Sequence, residues 1–154
     1  VVTLGQLTIQ NGLLAGNAQI IGAATIGAAA TVAPGNSIGT INVADDLTVQ
    51  GTYELEVNML TGESDLLDVA GGLTFDQAVL DISYLAAGPG EQTFLIATAT
   101  GGITGGFSDI AAPASYQLQL TENGTQLWLA IPEPGTLTCA SLILGGLLIR
   151  RCRA

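Results

Sequence analysis

Aliphatic residues at constant six-residue spacing, Leu14, Ile20, Ile26, Val32 and Ile38, constrain this chain more than any other feature. The hexads read LAGNAQ, IIGAAT, IGAAAT, VAPGNS and IGTINV. One aliphatic followed by small residues at this period means short strands separated by tight corners. Stacked coils then place equivalent aliphatics above one another. Gly22, Gly27, Gly35 and Gly39 suit corners that need unusual backbone angles. The composition agrees: 48% of the 154 residues are hydrophobic but only 5% are aromatic. Small and β-branched side chains suit thin, regular β-layers better than a bulky globular core. With only 10% of residues charged, long helices with charged faces are excluded.

Beyond about Val43 the strand chemistry continues while the period loosens. The predicted strands are Leu47–Val49, Tyr53–Val57, Leu66–Val69, Leu73–Phe75, Val79–Ser83 and Thr93–Ala97. In Tyr53-Glu54-Leu55-Glu56-Val57 the alternation puts Tyr53, Leu55 and Val57 inside and both Glu in water. SYQLQLT and TQLWLAI flank Glu122-Asn123-Gly124, where Asn-Gly predicts a type I′ hairpin turn. Tyr116, Leu118 and Leu120 would share a face with Leu127, Leu129 and Ile131, with Trp128 on the other side. Such a hairpin would cover the open end of a solenoid and hide its unpaired edge.

The fold class predicted is therefore all-β: a parallel β-solenoid, right-handed, capped by an antiparallel hairpin and followed by a C-terminal hydrophobic helix. Residues 1–114 would form the coils, 115–131 the cap and 132–154 a separate tail. The chain opens without Met inside a strand-like pattern, VVTLGQLTIQ, and reads as a mature or truncated product of a longer precursor.

Charge is unevenly placed. The chain has no His or Lys, and its 3 basic residues, Arg150, Arg151 and Arg153, sit in the last positions. Every acidic residue except Glu133 lies in the body, which holds no basic residue and so can form no internal Lys or Arg salt bridge. An acidic body repels nucleic acid and anionic lipid, which excludes nucleic-acid partners. Its simplest role is to keep a β-protein soluble. Both cysteines, Cys139 and Cys152, lie in the tail. On a helix they would be roughly 20 Å apart, too far for a disulfide.

In the tail, Pro132-Glu133-Pro134 breaks any strand, Leu137–Ile149 is predominantly apolar, and Arg-Arg-Cys-Arg follows. As a helix, the uncharged stretch from Pro134 to Ile149 would span about 24 Å, against a hydrocarbon core of roughly 30 Å. Arg snorkelling and the polar start could make up the difference. The basic cluster keeps the C-terminus cytoplasmic and turns the body outward.

This tail resembles the PEP-CTERM sorting signal of Gram-negative bacteria. The ordered Pro132-Glu133-Pro134, apolar run and Arg150, Arg151, Arg153 cluster carry the resemblance over about 23 residues. The resemblance implies export, transient retention at the inner membrane and processing by an exosortase, a transpeptidase-like membrane enzyme. It also implies association with exopolysaccharide or biofilm matrix at the cell surface or outside the cell. The body is similar to the passenger regions of autotransporter-type β-helix proteins. VAPGNSIGTINV, ESDLLDV and GGITGGFSDI carry that likeness. No membrane β-barrel follows them in this sequence, and the sorting tail stands in its place.

The residues present bear on several chemistries. The hexads resemble those of left-handed β-helix acyltransferases, but such enzymes use a His base and this chain has none. A carbohydrate-active β-helix would need paired carboxylates. Asp45/Asp46, Glu54/Glu56 and Glu63/Asp65/Asp68 are available. Glu54 and Glu56 would lie roughly 6–7 Å apart on one strand face. They sit on a solvated face without a neighbouring His, Lys or Arg, or an aromatic platform for a sugar. Calcium could be held by Glu63, Asp65 and Asp68, although neither EF-hand spacing nor a GGxGxD repeat is present. Asn123-Gly124-Thr125 matches a glycosylation acceptor that its turn role already explains. Ser, Thr and Cys have no base to activate them. The expectation is thus a structural, non-enzymatic protein without a required cofactor. End-to-end stacking of open solenoid ends into a homo-oligomeric filament is the alternative.

Overall fold

The computed structural model describes residues 2–88, 90–113, 115–132, 142–144 and 147–149. In chain order the strands are β1 (Val2–Gly16), β2 (Gln19–Pro34), β3 (Thr40–Val43), β4 (Leu47–Val49), β5 (Thr52–Asn58), β6 (Glu63–Ser64) and β7 (Leu66–Val69). They continue with β8 (Leu73–Ala86), β9 (Gln92–Ala99), β10 (Ile103–Ala111), β11 (Gln117–Leu120), β12 (Gln126–Ile131), β13 (Leu142–Leu144) and β14 (Leu147–Ile149). Long-range parallel pairing joins β1 to β2, β2 to β3, β4 and β5, and these in turn to β7 and β8. β9 then pairs with β7, and β10 with β8. The result is an all-β parallel solenoid.

The register explains why the hexads matter. Leu14 stacks on Val32, Val32 on Tyr53, Tyr53 on Leu80 and Leu80 on Ile110. A second inward column runs Leu7, Ala24, Leu47, Leu73, Ile103. A third runs Ile20, Val43, Val69, Ala99. All members except the first-coil Leu7 and Leu14 are buried. Full burial of one such aliphatic stabilises by about 1.5–3 kcal/mol, so the columns are the main cohesive force between coils.

The six-residue rhythm holds only where coils are smallest. Leu14 to Val32 is three hexads, so equivalent positions coincide. Later partners sit further apart in sequence, as in Ile20↔Val43, Val43↔Val69 and Val69↔Ala99. Ile38, the last of the hexad series, lies outside the strands and is only half-buried. Longer coils enclose a wider interior, and larger side chains fill it. Ala24 and Ala30 serve early, while Tyr53, Phe75, Phe94 and Phe107 serve later. Phe75 packs against Tyr53 at 6.4 Å and against Phe107 at 4.5 Å between ring centroids. The fully buried Tyr53 hydroxyl donates to the Ile96 carbonyl at 2.8 Å, tying opposite walls of the coil together. Tyr53→Phe should therefore cost about 1–2 kcal/mol by stranding that carbonyl. Urea unfolding followed by circular dichroism would measure the loss.

The predicted strands match closely, with 73–75 and 79–83 merged into one bent strand, β8. The hairpin forms as expected, with Leu118↔Leu129 and Leu120↔Leu127 in register. β12 runs antiparallel along β9 and so covers that edge of the coil. Its turn differs from the type I′ expectation, because Gly124 alone adopts a left-handed conformation and Asn123 does not. The Gly124 amide donates to the Thr121 carbonyl, centring the turn on Glu122 and Asn123. Asn123 accepts instead through its side chain, from the hydroxyls of Thr121 and Thr125. That local bonding removes any need for positive φ at Asn123. Trp128 is half-buried on the other face, donating to the Gln126 side chain.

No helix is found among the described residues, including those of the tail. Among the described tail residues β13 and β14 pair antiparallel, and the expected hydrophobic helix is not seen there. No helix among these residues is long and apolar enough to cross a membrane. Glu133, Pro134, Arg150, Arg151, Arg153, Cys139 and Cys152 lie outside the described residues.

Candidate functional site

β5 and β8 run side by side, and strand alternation decides what each presents. Tyr53, Leu55 and Val57 are buried, leaving Glu54 exposed and Glu56 half-buried. Parallel pairing puts Glu54 opposite Asp81 and Glu56 opposite Ser83. Directly opposed like charges destabilise a strand pair, and no cation in the described chain offsets them. With Leu13, Ala15, Ala33, Gly35, Leu55 and Asp65 these residues line a cleft of about 390 Å³. Sequence reasoning paired Glu54 with Glu56. It missed Asp81, because a partner one coil away cannot be identified until the register is known.

Asp65 is the most informative residue of the cleft wall. It is the one buried charged side chain among the described residues, 1% exposed. One carboxylate oxygen accepts from the Gly39 amide at 2.8 Å. The other accepts from the Glu56 amide, also at 2.8 Å. The Asp65 amide itself donates back to the Glu56 carbonyl. One side chain thereby closes the corner between the start of β3 and the end of β5. Burial pushes its carboxyl up from 3.8 to about 6, the two amide bonds oppose that rise, and the Glu56 charge adds to it. Burial first, and then the charge of Asp65, push the Tyr53 phenol up as well.

This geometry answers the calcium expectation. Both Asp65 oxygens are occupied by backbone amides. Glu63 is exposed and accepts from the Thr61 hydroxyl, while exposed Asp68 accepts from Thr98. The three residues are not brought together. Among the described residues no group of three or more His, Cys, Asp or Glu could hold a metal ion. Asp45 and Asp46 act locally: Asp45 accepts from the Asp46 amide, and Asp46 from the Gly72 amide one coil away. These acidic residues thus divide into corner staples, which order the backbone, and exposed outward groups.

The fold and the face together define a parallel β-solenoid scaffold with an acidic flank. No protein family and no curated protein matches this chain.

Proposed function

We propose that the chain is an exported structural protein of the bacterial surface or extracellular matrix. In this reading the solenoid is the scaffold and the C-terminal segment is its sorting signal. The observation that carries it is the ordered tail Pro132-Glu133-Pro134, apolar Leu137–Ile149 and the Arg150, Arg151, Arg153 cluster, set directly after the capped solenoid. The tail fits an exosortase-type processing enzyme and transient residence in the inner membrane. The body fits contact with exopolysaccharide or matrix. Within lipid the apolar run would be helical, because hydrocarbon forces every backbone group to bond internally. In this reading the body is a non-catalytic scaffold, in keeping with a chain that holds no His or Lys.

The test is fractionation of the producing cells with intact-mass measurement. A mature chain ending near Pro134 in the surface or extracellular fraction is expected. A full-length chain confined to the cytoplasm overturns the proposal.

A second reading, end-to-end assembly into filaments, is favoured by β1. Among the described residues this long strand pairs only with β2, and Val2–Gly16 contains no charged residue or proline to blunt its edge. Electron microscopy should show fibres lengthening with concentration. Monodisperse particles at every concentration would remove this reading.

A further inference from the structure

One outward column of the solenoid is chemically uniform. Thr8 pairs with Thr25, Thr25 with Thr48, Thr48 with Thr74, and Thr74 with Thr104. The column lies on the narrowest face, defined by the three-residue strand β4. There Leu47 and Val49 point inward and Thr48 is the single outward side chain. The flanking inward residues Ala24/Ile26 and Leu73/Phe75 repeat this arrangement above and below. Every rung of this column therefore displays threonine. Other outward columns are mixed: Gln19, Asn42, Asp68 and Thr98 on one face, and Thr31, Thr52 and Val79 on another. Parallel pairing alone does not require uniformity.

A cross-strand hydroxyl ladder would explain the column if the threonines bonded to one another. Only Thr74 and Thr104 do so, at 3.1 Å. The hydroxyls of Thr8, Thr25 and Thr48 make no hydrogen bond within the described protein, so they are left for an external partner. The surroundings leave them accessible. Gly106 beside the last rung has open space where a side chain would be. The nearest acids are engaged, Asp46 by the Gly72 amide and Asp76 by Gln50.

The ligand must match this array. Adjacent strands repeat every ~4.7–4.9 Å, so the five rungs make a straight line about 19 Å long. Each rung offers one methyl and one hydroxyl, held by the stiff χ1 of a β-branched side chain. No aromatic ring stands in the column to stack on a sugar. No large apolar or charged group stands in it to anchor a protein. A partner with its own rigid, uncharged repeat of similar length remains, and the oxygen lattice of ice has one. We propose that the threonine column binds an ice crystal surface, with the methyls against the lattice and the hydroxyls taking positions in its hydrogen-bond network. Preorganisation supplies the specificity, because the array need not be ordered at the moment of contact.

Ice-affinity partition of the full chain tests this. Ice is grown slowly from dilute protein, and the fraction incorporated is compared with that of a non-binding acidic protein of similar size. The wild type should be enriched in the ice, and Thr48→Tyr should lose that enrichment. Asn42→Tyr, on an exposed position of another face, should keep it. Thr104→Tyr, at the exposed terminal rung, replaces Thr48→Tyr if circular dichroism shows that variant unfolded. Exclusion of the wild type from ice, or full enrichment of the folded threonine variant, overturns the proposal.

Discussion

Asp65→Ala is expected to lower stability by about 3 kcal/mol. The side chain accepts from two backbone amides, those of Gly39 and Glu56, within a buried corner. Leaving a buried donor unpaired costs about 1–3 kcal/mol each. Removal of the desolvated carboxylate offsets part of that sum. Asp65→Asn keeps the shape but turns an NH2 toward one of the two amides, so about 1–2 kcal/mol should be lost. For a chain of this length about 3 kcal/mol corresponds to roughly 10 °C in Tm, readable by differential scanning fluorimetry.

The same carboxyl makes stability depend on pH. Its folded pKa is raised from 3.8 to about 6, so between those values the folded state binds more protons than the unfolded state. Stability from this group is then greatest at acid pH, falls as pH rises from about 4 to about 6, and stays level above. The neighbouring cleft admits solvent and screens the effect, leaving on the order of 2 kcal/mol. The difference between wild type and Asp65→Asn isolates the Asp65 share. An identical pH profile for both proteins would show that Asp65 does not titrate as described.

Gly51→Ala should be about as damaging, for a purely steric reason. Gly51 is buried between β4 and β5, at the corner where the narrow face meets the wide one. A Cβ there would run into the carbonyl oxygens of Ala30 and Gly27 and lie 3.0 Å from the Ala30 carbonyl carbon. These are backbone atoms of the preceding coil and cannot rotate away. The coils must separate locally, costing about 3 kcal/mol. Gly106→Ala meets nothing within 4 Å and should change stability by less than about 1 kcal/mol. Equal effects of the two substitutions, measured by urea unfolding, would show that the coil spacing is looser than the register implies.

Strand positions were legible because alternation is a local property. Tyr53 to Val57 announces its inward and outward faces without reference to any other strand, and β4, β5 and β7 fall where such patterns stand. The hairpin was legible for the same reason, although its turn was not. There, side-chain bonding by Asn123 and the left-handed Gly124 settled the conformation against the dipeptide rule. The candidate site was legible only in part. Glu54 and Glu56 could be placed outward, yet their neighbour Asp81 comes from the next coil. In the sequence Asp65 stands only as a calcium candidate beside Glu63 and Asp68. Burial depends on the distant Gly39 and Glu56 amides, which no local pattern reveals.

By itself the sequence determined that aliphatic columns would stack, because equal spacing puts equal residues at equal places in successive coils. It also determined that the body would be acidic and without Lys or Arg ion pairs internal to itself, since all the basic residues lie in the tail. Tertiary structure alone decided the register between coils, because loops such as 59–65 lengthen the repeat by amounts that only packing sets. Register in turn decided which outward residues became neighbours: carboxylate against carboxylate on the wide face, and threonine upon threonine on the narrow one.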